Sequence, residues 1–301
     1  MNSELQKLIL NLKERKALPK NMQMASVGPY CFANVFYDLN SGLVCESVAC
    51  GFDISPDVAL KKGLTEFFEG KAFSEGYKSG ISSCQTERSD GFAAFPVGHD
   101  DLHTEKARKN ALNEAVERFV WATWWDDTTI GHDSIWIVNA QLASSQKNFI
   151  QEMKKSHEVE KILAVRPHFE NLYGETLLIL VGFLKNGGVV SGGACGSDNT
   201  SIMDRALSEL FRHGLAAKRL RQGTTKAQSF YERRLEYFAT VEGQIKFEER
   251  LAQAGINKVK LPPIIIDEMI PHSFSDLFYV HRVLFQNQPP FIGGELERFC
   301  I

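Results

Sequence analysis

Apolar and polar positions along this 301-residue chain fall into two periods. Apolar residues three or four apart mark amphipathic helices, and short apolar or alternating runs mark strands. Over residues 3–18, Leu5, Leu8, Ile9 and Leu12 share one side of a helix that Pro19 ends. Residues 30–37 and 43–50 read as a hairpin about Asn40-Ser41-Gly42. A helix is predicted from Pro56 to about Lys71, followed by a polar loop rich in Gly and Ser over 74–89. A strand over 91–95 and a turn over 98–103 lead into a helix from Glu105 to about Trp125. Further strands are expected at 135–138, 162–165, 176–184, 189–195, 264–266 and 277–284. Helices are expected at 143–157 and 201–221, with a charged, mostly helical stretch over 226–254. Lys185-Asn186-Gly187-Gly188 is a hairpin turn.

One frame recurs in this pattern. Gly63-Leu64-Thr65-Glu66, Ala111-Leu112-Asn113-Glu114 and Ala206-Leu207-Ser208-Glu209 each read small residue, Leu, any residue, Glu. A Gly-bearing strand and a helix start precede each copy: Ser55 with Pro56, Thr104, and Asn199. The chain therefore holds three strand–turn–helix units with a glutamate at one matched depth. Glu66 and Glu69 lie three apart, as do Glu114 and Glu117, so each pair shares a helix face.

Composition narrows the classes. A hydrophobic share of 44% supplies a sizeable core. The net charge is −3, with acids and bases interspersed, which argues against a nucleic-acid partner. The longest apolar run, residues 177–184, is too short to cross a bilayer, and no signal peptide or membrane role is expected. Cys31, Cys45, Cys50, Cys84, Cys195 and Cys300 show neither Cys-x-x-Cys nor zinc spacing, so free thiols in a reducing cytoplasm are expected. No linker splits the chain, which reads as one domain.

Two parallel carboxylates repel unless a cation sits between them, and Arg118 beside Glu117 suggests an anion close by. A divalent metal with a phosphate meets both needs. If the three helices converge, Glu66, Glu69, Glu114, Glu117 and Glu209 form an oxygen-only ligand set, which suits Mg²⁺ better than zinc or iron. At least one such carboxyl should then titrate high. The sequence holds neither a Walker-type phosphate loop nor the protein-kinase motifs. His99, Asp100, Asp101 and His103 could ligate metal, but polar residues at a helix start already have a capping task. Trp121, Trp124 and Trp125 read as core.

In these units the chain resembles the YcaO superfamily from about Ala25 onward. The resemblance is carried by Glu66-x-x-Glu69, by Glu114-x-x-Glu117-Arg118 and by Arg205-Ala206-Leu207-Ser208-Glu209. The frames Ser89-Asp90-Gly91-Phe92-Ala93-Ala94 and Ser191-Gly192-Gly193 and the strand from Tyr279 to Leu284 also fit. It implies an α+β fold of repeated strand–turn–helix units, with helices packed on largely antiparallel or mixed sheets. It implies one YcaO-like domain over 1–301 with a catalytic core over 25–301; the apolar stripe of the helix within 1–20 is expected to fold on its own domain, with docking to a partner as the alternative. It further implies ATP and Mg²⁺ as cofactors. Glu66, Glu69, Glu114, Glu117 and Glu209 would be metal ligands. Glu66, Arg118, Arg205 and Glu209 would contact the nucleotide, and Glu117 and Arg118 would act in catalysis. The implied reaction phosphorylates a backbone amide oxygen of a ribosomally made precursor peptide. Cyclodehydration of Cys, Ser or Thr to azolines is the leading product class, with thioamide or amidine formation and a non-catalytic scaffold as alternatives. A separate peptide-recognition protein would deliver the peptide, and a homodimer is compatible. Several positions depart from the family. Lys62 stands where Ser is usual, Gly70 where Arg is frequent and Arg205 where Gln is frequent. The usual Lys is missing from 49–53, and no Pro-rich end is present.

Overall fold

The computed structural model describes residues 3–27, 29–36, 48–84, 91–97, 102–137, 142–224, 226–227, 229–253, 255–291 and 294–300. In chain order the elements are α1 (Ser3–Glu14), β1 (Asn21–Val27), β2 (Tyr30–Phe36), β3 (Val48–Asp53), α2 (Pro56–Lys78), β4 (Gly91–Pro96) and α3 (Leu102–Asp126). There follow β5 (His132–Trp136), α4 (Ser144–His157), β6 (Val159–Pro167), β7 (Thr176–Leu184), β8 (Val189–Gly196) and α5 (Asn199–Arg221). The chain continues through α6 (Phe230–Phe238), α7 (Val241–Ala252), β9 (Ile264–Met269) and β10 (Phe278–Phe285). Three antiparallel sheets have the orders β1-β2-β3, β4-β10-β9 and β5-β6-β7-β8.

Two compact units result: Met1–Leu112 with Ile265–Leu284, and Asn113–Ile264 with Phe285–Ile301. The chain passes between them three times, inside α3, at the start of β9 and near the end of β10, so no linker marks the division.

The first unit buries Leu5 and Leu12 of α1 with Leu64, Phe68 and Phe73 of α2 and Phe92, Phe274 and Phe278. The Phe68 and Phe278 rings stack at 4.5 Å. The apolar stripe of α1 is thus spent on its own unit, as such stripes usually are. Ser55 accepts from the Val58 N–H and Pro56 opens α2, the capping that the sequence suggests. α2 runs on to Lys78, seven residues past the expected Lys71. Ser74 and Gly76, which looked like loop formers, are buried, and a Cβ at Gly76 would meet Cys84 Sγ at 2.5 Å. β1 was not foreseen. Its residues are mostly exposed, and two Met in alternation give a weak strand signal. β2 and β3 pair antiparallel with Cys31 opposite Asp53; the expected turn at 40–42 lies outside the described residues.

The second unit centres on β7 and β8. β8 is buried at all eight positions. Its sequence VVSGGACG is small because helices lie close on it: a Cβ at Gly192 would stand 2.2 Å from Leu210 N and 2.4 Å from Ala206 O of α5. The first unit repeats this relation, where a Cβ at Gly51 would stand 1.8 Å from Ala59 O of α2. Gly63 and Ala206, the small residues that open two of the three small-Leu-x-Glu frames, are therefore part of close helix–strand contacts. Trp121 and Trp124 are buried to within 1%, packed against aromatic rings and His132 as core. α5 is capped by Asp198, one residue before the expected Asn199, and Thr104 lies inside the first turn of α3. The charged stretch after residue 226 breaks at Thr240, which caps α7.

Candidate functional site

In the first unit, Glu66 Oε2 accepts the Cys50 backbone N–H at 3.2 Å, and Glu69 Oε2 accepts the Ala94 N–H at 3.4 Å. Strands β3 and β4 thus each hold one carboxylate of α2. Lys62, one turn before Glu66, donates to Asp53 Oδ2 at 2.8 Å and to Phe52 O at 3.2 Å. Lys62, which departs from the Ser of the resembled pattern, is thus engaged at the end of β3.

In the second unit, Glu209 Oε2 accepts the Gly193 N–H at 2.6 Å. The separation in sequence is sixteen residues, the same as for Glu66 and Cys50. Arg205, one turn earlier on α5, donates to Cys195 O at 3.0 Å. Across from them on α3, Arg118 and Glu114 form an i, i+4 ion pair, with the Arg118 side chain 13% exposed. The Arg118 guanidinium carbon lies 5.6 Å from the centre of the Phe291 ring.

Glu117 is the electrostatic centre of this cluster. Its carboxyl is pushed up to about 8, first by burial and then by the negative charges of Glu209 and Glu114. Arg205 and Arg118 oppose that shift. The high-titrating carboxyl expected from the sequence is present, with burial rather than repulsion as the larger cause. Burial, Glu117 and the buried Glu175 also raise the Cys195 thiol, so Cys195 is no thiolate nucleophile here. Cys31, Cys50, Cys84, Cys195 and Cys300 are not disulfide-bonded; Cys45 lies outside the described residues.

The structure therefore gathers Glu114, Glu117, Arg118, Arg205 and Glu209 in the second unit, while Glu66 and Glu69 belong to the first. Among the described residues, no three His, Cys, Asp or Glu side chains stand close enough to form a ready-made metal cage. The oxygen donors nevertheless fit Mg²⁺ with a phosphate. Mg²⁺ commonly takes one or two carboxylates and fills its octahedron with water and phosphate oxygens. The turn at 98–101 lies outside the described residues, and His103 sits in α3, 5.4 Å from the Phe95 ring. Sequence reasoning missed Asn113, which is 95% buried with its Oδ1 unpartnered among the described residues. Asn113 lies four residues before Glu117 on one face, a spacing that could have drawn notice. It also missed Phe291 and Arg234, whose contacts span 57 residues and leave no local signal.

No protein-family model matches the sequence, and no curated protein does. Solved structures do match. YcaO from Methanopyrus kandleri bound with AMPPCP and Mg²⁺ superposes with a TM-score of 0.60 at 15% identity, over 96% of this chain and 91% of that one. The E. coli microcin synthetase McbBCD complex gives 0.59 at 11% identity, over 89% and 88%. The same complex with pro-MccB17 bound gives 0.61 at 12% identity, over 89% and 88%. The chain has a YcaO-like fold. Among the described residues, no helix is long and apolar enough to cross a membrane.

Proposed function

We propose that the chain is an ATP- and Mg²⁺-dependent enzyme of the YcaO type that modifies the backbone of a ribosomally made peptide in the cytoplasm. The observation that carries this reading is the electrostatic coupling of Glu117 and Arg118 on α3 with Glu209 and Arg205 on α5. A pair of carboxylates beside two guanidiniums suits a divalent cation bridged to phosphate oxygens. Within that reading, Glu117 and Glu209 hold the metal, with Glu114 orienting Arg118 and available as a further ligand. Arg118 and Arg205 bear on the phosphates. Glu66 and Glu69, in the first unit, are proposed as metal ligands solely on the sequence frame they share with Glu209. The nucleotide would supply the phosphoryl group that activates an amide oxygen. Azoline formation from Cys, Ser or Thr is the preferred product, and thioamide formation would use the same residues with a different nucleophile. The one-domain reading over 1–301 is kept as part of the proposal.

The likeness to a complex with pro-MccB17 bound supports a precursor peptide and partner proteins as the working context. A homodimer is compatible with all of this. One observation favours a second reading, a non-catalytic subunit: the altered residues Lys62 and Arg205 are engaged by Asp53, Phe52 O and Cys195 O of the chain itself. The experiment that separates the two is phosphate release from ATP with candidate precursor and docking protein supplied. Peptide-dependent turnover that Glu117→Gln abolishes supports the enzyme. ATP binding without turnover supports the subunit.

A further inference from the structure

Phe291, Glu295 and Cys300 are held by one unusual residue. Arg234 of α6 has no exposed surface, yet its guanidinium donates to three backbone carbonyls: Phe291 at 2.6 Å, Cys300 at 3.0 Å and Glu295 at 3.0 Å. Burying a guanidinium is costly, and an apolar side chain would pin a segment to a core with less penalty. What the arginine adds is geometry, because a rigid planar fork fixes several backbone points at once. The first of those points is Phe291. Its ring stands 5.6 Å from the Arg118 guanidinium carbon and meets Trp121 edge-on at 5.5 Å. Arg118 is thus bounded by the Glu114 carboxylate on its own helix and by the ring of Phe291, whose carbonyl Arg234 holds.

We propose that Phe291 and Arg234 are positioning residues for Arg118. The Phe291 ring is the platform on which the phosphate-binding guanidinium is set, and Arg234 fixes that platform through the Phe291 carbonyl. The assignment rests on the reading of Arg118 as a phosphate contact. An aromatic face holds a guanidinium by its quadrupole and not through its N–H donors, so the ring sets the plane of the fork while the Glu114 carboxylate engages one of its nitrogens.

The test is calorimetric affinity for Mg²⁺·AMPPCP together with the melting temperature. Phe291→Leu keeps apolar bulk and removes the π face. It should weaken binding by roughly three- to thirtyfold, while Phe291→Tyr stays within about twofold of the wild type. In an Arg118→Ala background, Phe291→Leu should have no further effect. Incorporation of pentafluorophenylalanine at 291 keeps the shape and inverts the ring's electrostatics, and it should weaken binding as leucine does even if the leucine variant folds poorly. Unchanged affinity with the fluorinated ring, or an equal loss in both Arg118 backgrounds, would overturn the positioning role and leave the proposed function standing. Absence of binding by the wild type would instead overturn the proposed function, and this inference with it.

Discussion

Glu209 Oε2 stands 2.6 Å from the backbone nitrogen of Gly193, on the strand that feeds its own helix. The bond uses one carboxylate oxygen as an acceptor and so fixes the direction of the other. Glu66 repeats the relation with Cys50 at 3.2 Å across the same sixteen residues. A charge-assisted bond to a backbone N–H is stronger than a neutral one and needs no partner side chain. In both units the strand therefore aims a carboxylate, and the glycine beside the bond admits the helix that carries it.

This geometry separates charge from shape. Glu209→Gln retains an oxygen that can accept from Gly193, so the fold should hold, with the melting temperature within ~3 °C of the wild type. Loss of the negative charge should weaken Mg²⁺-dependent nucleotide binding about tenfold or more. Glu209→Ala leaves the buried Gly193 N–H unpaired and should cost about 1–3 kcal/mol of stability as well. Thermal melts with and without ligand distinguish the two variants.

Arg118 gives a second test. Arg118→Ala should weaken nucleotide binding and slow turnover, and Arg118→Lys should recover only part, since an ammonium lacks the planar two-pronged fork. If the Glu114 pair is only a helix-surface contact, it contributes well under about 1 kcal/mol and both variants should bind normally. Isothermal titration with each variant decides.

The Glu117 carboxyl predicts a pH dependence with a definite sign. Its folded value of about 8 lies above the ordinary 4.5. Below the ordinary value both folded and unfolded chains carry the proton, and the stabilisation is fully present. As pH rises towards 8, the unfolded chain ionises first and roughly a few kcal/mol of stability is lost. The metal-free protein should therefore melt at progressively lower temperature between pH 5 and about 8, and Glu117→Gln should flatten that slope. Differential scanning calorimetry across the range reads it. A wild-type slope that Gln leaves unchanged would assign the titration to another group.

Close packing on β8 can be probed directly. In Gly192→Ala the new methyl would land 2.2 Å from Leu210 N, on backbone that cannot turn aside. Overpacking of this kind should cost at least about 2 kcal/mol, read as a lower urea midpoint.

Much of the site was legible because two physical periods coincide in it. The small-Leu-x-Glu frame records a helix that must approach a strand closely and present a carboxylate one turn on. That requirement is local, so Glu66, Glu114 and Glu209 stood out in the sequence, as did the Ser55 cap and the Gly187-Gly188 turn, where both φ are positive. The extension of α2 through Gly76 was hidden because a glycine needed for contact with Cys84 looks like one that ends a helix. The division into two units was hidden because it falls within α3, where a helix shows no composition change. Phe291 and Arg234 gave no sign, since their bond joins residues 57 apart and neither belongs to a repeating pattern.

The central claim is that the glutamate–arginine cluster binds a metal-bridged nucleotide, and calorimetric titration of the chain with AMPPCP, with Mg²⁺ and then with Mg²⁺ removed by chelation, tests it most directly. The account predicts saturable one-to-one binding with Mg²⁺, its loss on chelation, and its loss in Glu117→Gln while that variant stays folded. Binding at equal affinity with and without Mg²⁺, or no binding with Mg²⁺ present and no rise in melting temperature, would contradict it.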